Sequence, residues 1–412
     1  MRKTSWVAAA VAGSVILSGS TRGDTDPRLQ EFAAQKHKQM EALAAKLHLD
    51  VPPQALELFK AAEAGDCLAV SNAYARLQQL SSPSEGSHLI PGLTNVLYVP
   101  IHETWGAYEF CDWNPALLEQ YAGGILGSMS TNSVYFGGTD PGRFVITMFS
   151  DARESPIAVL TPKFVITQNA LVDTRYMEYL RLTQGDRLWL PSTNDVGDAF
   201  QQCVSDMRKR QQKGEQLGPD EQIDSAGRIR GVVAVMNLNG MLARKIFDHN
   251  KQKHPFFVEE SYVIAWMYPY MEPHGLILKL NNEPLKELDP AVMAQDRKFW
   301  DGLSKELLAD PRFLGNESAR KAYSKMRSSI GGLYVYRHLT DEAEAVFKQA
   351  LELYPASPEA NFRLAQLYMD QGHSDKAIRV LERFQKRDPL NDKISAAIQQ
   401  LRNAPHKAGA SQ

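Results

Sequence analysis

Apolar residues recur with two different spacings along the chain, and the change of spacing divides it into three parts. From Asp26 and Pro27 onwards, the apolar positions of residues 29–47 fall on one face of a helix. Two further helices, 54–64 and 67–80, meet at a Gly-Asp pair and form a helical hairpin. A loop rich in serine, proline and glycine follows, so residues 21–92 are predicted to be a helical amino-terminal region.

In residues 93–308 short apolar runs alternate with helical periods, a pattern typical of α/β domains. Helices between successive strands favour right-handed crossovers and a mainly parallel sheet. The fold class we predict is therefore α/β: a mainly parallel open sheet with flanking helices, preceded by amino-terminal helices and followed by a repeat superhelix. Residues 94–100 form either a short strand or a buried extended segment. The other predicted strands are 134–137, 163–167, 188–190, 255–258 and 275–280.

The third part contains an internal repeat. Three residue types return after 34 positions: Tyr334 and Tyr368, Ala343 and Ala377, Pro355 and Pro389. That distance is the tetratricopeptide period. Residues 324–391 therefore hold two helical repeats, and the helix 394–401 covers the apolar face of the last one. We assign residues 309–402 to this repeat region and residues 403–412 to a disordered tail of small and polar side chains.

Charge and the first residues limit the partners and the compartment. Lys and Arg number 46 against 48 Asp and Glu, and we find no basic cluster interleaved with aromatic residues, so no nucleic-acid partner is predicted. Residues 1–20 carry Arg2 and Lys3, then the apolar run 6–17, then small residues, which is the pattern of a secretory signal peptide. The apolar run is too short for a membrane span of about 20 residues. We expect a soluble, exported protein, periplasmic or extracellular, that does not span the membrane once the signal is cleaved.

Three cysteines, Cys67, Cys111 and Cys203, are far apart in the chain. An odd number leaves at least one thiol free, and an exported protein can hold a disulfide. The residues leave two alternatives open. The cysteines are either small buried hydrophobic side chains, or two of them form one long-range disulfide.

The stretch 133–143, S-V-Y-F-G-G-T-D-P-G-R, combines a buried strand, a glycine turn and a helix start. In open α/β sheets ligands bind at the carboxyl ends of strands, so polar residues that follow the predicted strands are candidate ligand-binding residues. Such a cluster could bind a hydroxylated or phosphorylated ligand, or a divalent cation through its oxygens. The alternative is that each residue is only a helix cap or a turn residue. The candidates are Thr139, Asp140, Arg143, Asn169, Asn194, Asp195 and Glu259.

No catalytic or cofactor motif supports an assignment to a reaction. The central stretch is neither a dinucleotide fingerprint nor a P-loop, and no H-E-x-x-H spacing is present. Ser133, Ser192 and Ser261 do not lie in a G-x-S-x-G nucleophile elbow. We interpret His249 and the other histidines of this region, His254 and His274, as ordinary surface or interface residues. No metal site and no cofactor are predicted.

The repeats supply a second set of candidates, for binding another protein. In a tetratricopeptide array the first helix of each repeat lines the concave side, and a short array needs a neighbouring domain to complete the stack. We expect residues 312–323 to be an added helix with that role. The exposed candidates suit an acidic segment of a partner. The alternative is that the repeats only stabilise the sheet domain. The protein-binding candidates are Arg327, Tyr336, Arg337, Arg363 and Gln366.

Four segments in order suggest a family resemblance: V-Y-F-G-G-T-D-P-G-R-F (134–144), K-F-V-I-T-Q-N-A-L-V-D-T-R-Y-M-E-Y-L (163–180), H-P-F-F-V (254–258) and H-G-L-I-L-K-L (274–280). They resemble the soluble carboxyl-terminal part of a family of multi-spanning membrane proteins. That family, of unknown function, is similar to protein O-mannosyltransferases, and its members often carry tetratricopeptide repeats behind this part. The resemblance implies an exported accessory domain linked to envelope glycosylation or assembly. It implies no catalytic residue, because this chain lacks the membrane part in which glycosyl transfer is expected.

These observations predict an exported, non-catalytic binding or scaffolding protein of the cell envelope, whose partner is another envelope protein or peptide bound by the repeats. The alternative is an enzyme that acts on a glycan or sugar derivative at the strand-end candidates.

Overall fold

The computed structural model describes residues 25–81, 93–151, 163–218, 220–224, 227, 229–259 and 264–403. The predicted signal peptide and almost all of the predicted tail lie outside these residues. The described residues form two compact units. The first holds the residues up to Phe257 together with Ile264–Trp266, and the second holds Val258, Glu259 and the residues from Met267 onwards.

The first unit is built mainly of helices. The first helix starts behind Asp26, whose carboxylate accepts a hydrogen bond from the backbone amide of Arg28 at 2.9 Å. An acidic cap followed by proline is a strong helix start, and the prediction of this helix and of the hairpin after it is confirmed. The helices of this unit are α1 (Pro27–Leu47), α2 (Pro53–Glu63), α3 (Cys67–Ser81), α4 (Tyr98–Tyr108), α5 (Pro115–Leu126), α6 (Asp140–Asp151), α7 (Thr174–Gln184), α8 (Thr193–Gln212) and α9 (Val232–Asn250).

The cysteines resolve the alternatives that the sequence left open. Cys67, the first residue of α3, and Cys111, which follows α4, form a disulfide with their Cα atoms 6.5 Å apart. Cys203 is free and buried on α8. The disulfide therefore links the helical hairpin to the segment after α4, and the hydroxyl of Tyr108, the last residue of α4, also donates to the backbone carbonyl of Ala62.

The central strand has the predicted partner. Strands β1 (Val134–Gly137) and β2 (Phe164–Thr167) are parallel neighbours, with Val134 opposite Phe164. After β1 the chain turns into α6, and the start of this helix lies very close to the strand. A Cβ atom at Gly137 would lie 2.6 Å from the carbonyl oxygen of Gly142, so only glycine permits this approach of helix to strand.

Three predicted elements of the first unit are wrong. Residues 188–190 form no strand, because the side-chain amide of Asn250 bonds both the amide and the carbonyl of Trp189, at 3.0 and 2.9 Å, in place of a neighbouring strand. Residues 98–100 begin α4. A short apolar run alone does not distinguish a strand from a buried helix, and Pro100 is tolerated because it lies in the first turn of the helix. The predicted loop 213–229 contains a small antiparallel pair, β3 (Gln222–Ile223) with β4 (Ile229–Arg230).

The sheet is mixed: β1 and β2 pair in parallel as predicted, whereas the last two strands pair antiparallel. Its strand order is β2-β1-β5-β7-β6, where β5 is Phe256–Glu259. In the second unit β6 (Met271–His274) and β7 (Ile277–Leu280) form an antiparallel hairpin. The sequence missed β6 because it contains Pro273. Proline is tolerated on the outermost strand of a sheet, where its missing N–H removes no ladder bond.

The rest of the second unit is helical and confirms the repeat assignment. The two predicted repeats are the helix pairs α12–α13 and α14–α15, and α16 follows as the predicted cap. The expectation of a separate helix over 312–323 is wrong, because Asn316 caps α12 and residues 317–323 belong to that helix. The helices are α10 (Pro290–Ala309), α11 (Pro311–Leu314), α12 (Glu317–Tyr336), α13 (Thr340–Leu353), α14 (Pro358–Asp370), α15 (Ser374–Gln385) and α16 (Asp392–Asn403).

Candidate functional site

Four of the seven strand-end candidates lie together at the turn after β1. The hydroxyl of Thr139 caps α6 by accepting a hydrogen bond from a backbone amide three residues later, at 3.1 Å. Arg143 donates to the carboxylate of Asp140 at 2.8 Å. The side-chain amide of Asn169, just after β2, donates to the backbone carbonyl of Gly138 at 2.8 Å. The parallel pairing of β1 with β2 places these residues at one edge of the sheet.

The other three candidates occupy different settings. Asp195 forms a capping box with Ser192 at the start of α8 and accepts a hydrogen bond from Lys245 at 3.0 Å. The hydrogen bonds from Ser192, and after them that from Lys245, lower the pKa of Asp195 to about 2. Asn194 is exposed in the same turn, and Glu259 is buried on β5 in the second unit. The contacts of Asp195 are those of a helix cap, and a ligand-binding role for the strand-end candidates stays a prediction.

Five aromatic rings pack beside Arg143 and Arg175, a cluster that the sequence does not predict because residues 98–100 read as a strand or extended segment. The guanidinium of Arg143 lies 4.2 Å from one ring centroid, and that of Arg175 lies 3.8 Å from another. Burial, and after it the charges of these two arginines, lowers the pKa of His102 to about 3, so the imidazole is neutral at physiological pH. The rings make stacked or edge-to-face contacts with one another and form one continuous layer between helices. They are Tyr74, Tyr98, His102, Trp105 and Phe144.

A buried ionic cluster joins four helices of the first unit. The ammonium of Lys36, on α1, lies 2.5 Å from a carboxylate oxygen of Glu103 and 2.8 Å from one of Asp151, and it donates to the hydroxyl of Tyr179 at 3.2 Å. Burial opposes the charge on Lys36, but the two carboxylates outweigh it, and the pKa of Lys36 is raised well above its usual value. Its partners come from α4, α6 and α7, so no local motif could reveal this cluster.

Arg327 is buried, so the expectation that it is an exposed side chain is wrong. Its side chain is 3% exposed, and its guanidinium donates to both carboxylate oxygens of Asp296, at 3.0 and 2.8 Å. The carboxylate of Asp296 also accepts from the hydroxyl of Tyr334 at 2.8 Å, and Gln349 accepts from Nε of Arg327 at 2.7 Å. Arg327 therefore ties α12 to α10 and α13 inside the second unit.

Three of the other protein-binding candidates form one surface around Tyr268. The ring of Tyr268 stacks on that of Tyr336, with centroids 4.9 Å apart. A Cβ atom at Gly332 would lie 2.7 Å from a guanidinium nitrogen of Arg363 and 3.5 Å from the hydroxyl of Tyr268, so glycine here lets both side chains approach α12. The fifth candidate, Gln366, donates to Asp370 within α14. We call this the Tyr268 surface: Tyr268, Gly332, Val335, Tyr336, Arg337 and Arg363.

Backbone carbonyls hold the guanidinium of Arg337 in place on this surface. It donates to the carbonyl oxygen of Leu285 at 2.8 Å and to those of Tyr268 and Pro269 at 3.2 and 2.8 Å. Arg363 likewise donates to the carbonyl oxygen of Ser328 at 2.8 Å. Val335 and Tyr336 are 37% and 44% exposed. The surface therefore presents fixed guanidinium groups beside exposed apolar side chains.

The tetratricopeptide repeat family model matches residues 338–401, which hold α13, α14, α15 and most of α16. No curated protein and no solved structure matches the chain. In the described part of the chain, none of the helices has the length and apolar character that crossing a membrane requires. Nor do three or more His, Cys, Asp or Glu side chains of that part come together as metal ligands would.

Proposed function

We propose that this protein is an exported, non-catalytic binding protein of the cell envelope, and that it holds a partner polypeptide on the Tyr268 surface. The observation that carries the proposal is this surface. It combines Tyr268 with the end of α12 and part of α14, the first helices of the two predicted repeats, and aromatic rings together with arginine are enriched at protein interfaces.

The exposure of α12 restricts the binding face to one end of the helix. Residues 322–334 of α12 are buried except for Lys325 and Gly332, which are partly exposed. Met326 and Ile330 of this stretch line a small cavity with residues of β5 and β7. The middle of the first-repeat helix is thus engaged within its own unit, which supports in part the alternative that the repeats stabilise their neighbour. Its last turn and the adjoining face of α14 remain available to a partner.

Two observations support export. Residues 1–20 have the pattern of a secretory signal, and the Cys67–Cys111 disulfide suits an oxidising compartment. The resemblance to the mannosyltransferase-like family supports a place in envelope glycosylation or assembly. The carboxylates of Asp140 and Asp195 pair with nearby side chains of helix starts, so we favour binding over catalysis.

Site-specific photocrosslinking in the native cells tests the proposal. A photoreactive amino acid replaces Tyr336, and a matched control chain carries it at Leu314, which is 45% exposed in the same unit. We expect a discrete crosslinked polypeptide from position 336 that is absent from position 314. The proposal is refuted if position 336 gives no crosslink, or if both positions give the same products.

A further inference from the structure

We infer that the partner segment at the Tyr268 surface is acidic: an Asp or Glu side chain pairs with Arg337 and an apolar side chain beside it lies against Tyr336. This inference rests on the proposed function and names the chemistry of its partner. It follows from the state of one charged side chain in the second unit.

Arg337 has no carboxylate partner among the described residues. Its hydrogen bonds go to three backbone carbonyls, which are neutral dipoles, and its Nε is buried without an acceptor. A half-buried cation solvated by dipoles still gains from an anion, and Nη1, which donates one of its two N–H groups to Leu285, keeps the other for a carboxylate oxygen. An anionic group from outside the unit would supply the missing counter-charge.

The same three carbonyls also hold the guanidinium of Arg337 in one orientation before a partner binds. Three hydrogen bonds fix the orientation of Arg337, so a carboxylate that pairs with it pays little for ordering that side chain. Arg363, fixed by Ser328, adds a second positive charge near Gly332 on the same surface. The complementary partner is therefore an acidic segment in preference to a neutral or basic one.

The apolar requirement comes from the other half of the surface. Tyr336 is 44% exposed although its ring already stacks on Tyr268, and Val335 next to it is 37% exposed. Burying such side chains removes apolar area from water, which a purely polar acidic segment would not do. A partner segment in which an acidic residue lies close to an apolar or aromatic residue therefore matches both the charged and the apolar part of the Tyr268 surface.

Sequencing the polypeptide crosslinked at position 336 gives the first test. We expect Asp or Glu within a few residues of the crosslinked site. A peptide with the sequence of that segment, labelled with fluorescein, is then titrated with the purified full chain, alongside a version with every Asp and Glu changed to Asn and Gln. We expect the neutral version to bind at least about tenfold more weakly, which is about 1.4 kcal/mol, and the difference to shrink at high salt.

Variants of the chain assign the effect to Arg337. Arg337→Gln should lose the same factor for the acidic peptide and little for the neutral one. Because Arg337→Gln also removes hydrogen bonds within the unit, Arg363→Gln and the exposed Tyr336→Ser are measured beside it, and each should weaken binding of the acidic peptide. A crosslinked segment without Asp or Glu, or equal binding of the two peptides, overturns the inference and leaves the proposed function standing. Absence of any crosslinked polypeptide overturns both.

Discussion

Replacing Arg327 should destabilise the second unit severely, although this residue looked like a surface arginine in the sequence. In Arg327→Met the carboxylate of Asp296 loses both hydrogen bonds from the guanidinium, and its side chain is only 2% exposed. Removing one partner of a buried ion pair costs about 3–5 kcal/mol, because the other charge is left uncompensated away from water. We expect a loss of that size in the free energy of unfolding.

A second substitution separates the lost pair from the lost packing. Asp296→Asn in the Arg327→Met background removes the stranded charge but keeps an oxygen for the hydroxyl of Tyr334. We therefore expect the double variant to be more stable than Arg327→Met by about 2 kcal/mol, a positive coupling of the kind that contacting residues show. Arg379→Met, at an exposed position of α15, is the matched control and should stay within about 0.5 kcal/mol of the wild type.

The assay has to report the second unit by itself. Amide hydrogen exchange of peptides from α10 and α12 does so. A loss below about 1 kcal/mol for Arg327→Met would show that the charge is not buried as described. A double variant no more stable than Arg327→Met would assign the loss to packing rather than to the stranded carboxylate.

Three other changes test separate parts of the first unit. Changing Cys67 and Cys111 to serine should lower the free energy of unfolding by about 4 kcal/mol through loop-closure entropy. A reductant should destabilise the wild type and leave this variant unchanged. If a reductant does not destabilise the wild type, the disulfide is absent. Gly137→Ala should cost about 1–3 kcal/mol by overpacking, whereas Gly197→Ala in open space on α8 should be neutral or stabilising; equal effects would contradict the close approach at β1. Because the pKa of Asp195 is lowered, its contribution to stability is full above about pH 3.9 and is lost as the pH falls towards 2. Asp195→Asn should therefore weaken the dependence of the free energy of unfolding on pH in that window. An unchanged pH dependence would count against the capping box.

Local features of this fold were readable from the sequence. The 34-residue period, the helix start at Asp26 and the pairing of residues 134–137 with 164–167 depend on residues close in the chain or on a single strand–helix–strand connection. For the same reason the turn after β1 brought Thr139, Asp140, Arg143 and Asn169 together. Spacing and capping decide such features without help from distant residues.

Tertiary contacts decided the rest. Nothing near Trp189 shows that Asn250 will replace its strand partner, and nothing near Arg327 shows that Asp296 will bury it. The choice of Cys111 as the partner of Cys67 likewise required the fold. The Tyr268 surface joins a proline-containing segment before β6 to helices more than 60 residues later in the chain. Pattern and propensity describe each segment alone, whereas burial, charge compensation and convergence are properties of which segments meet, and only the packed chain sets those meetings.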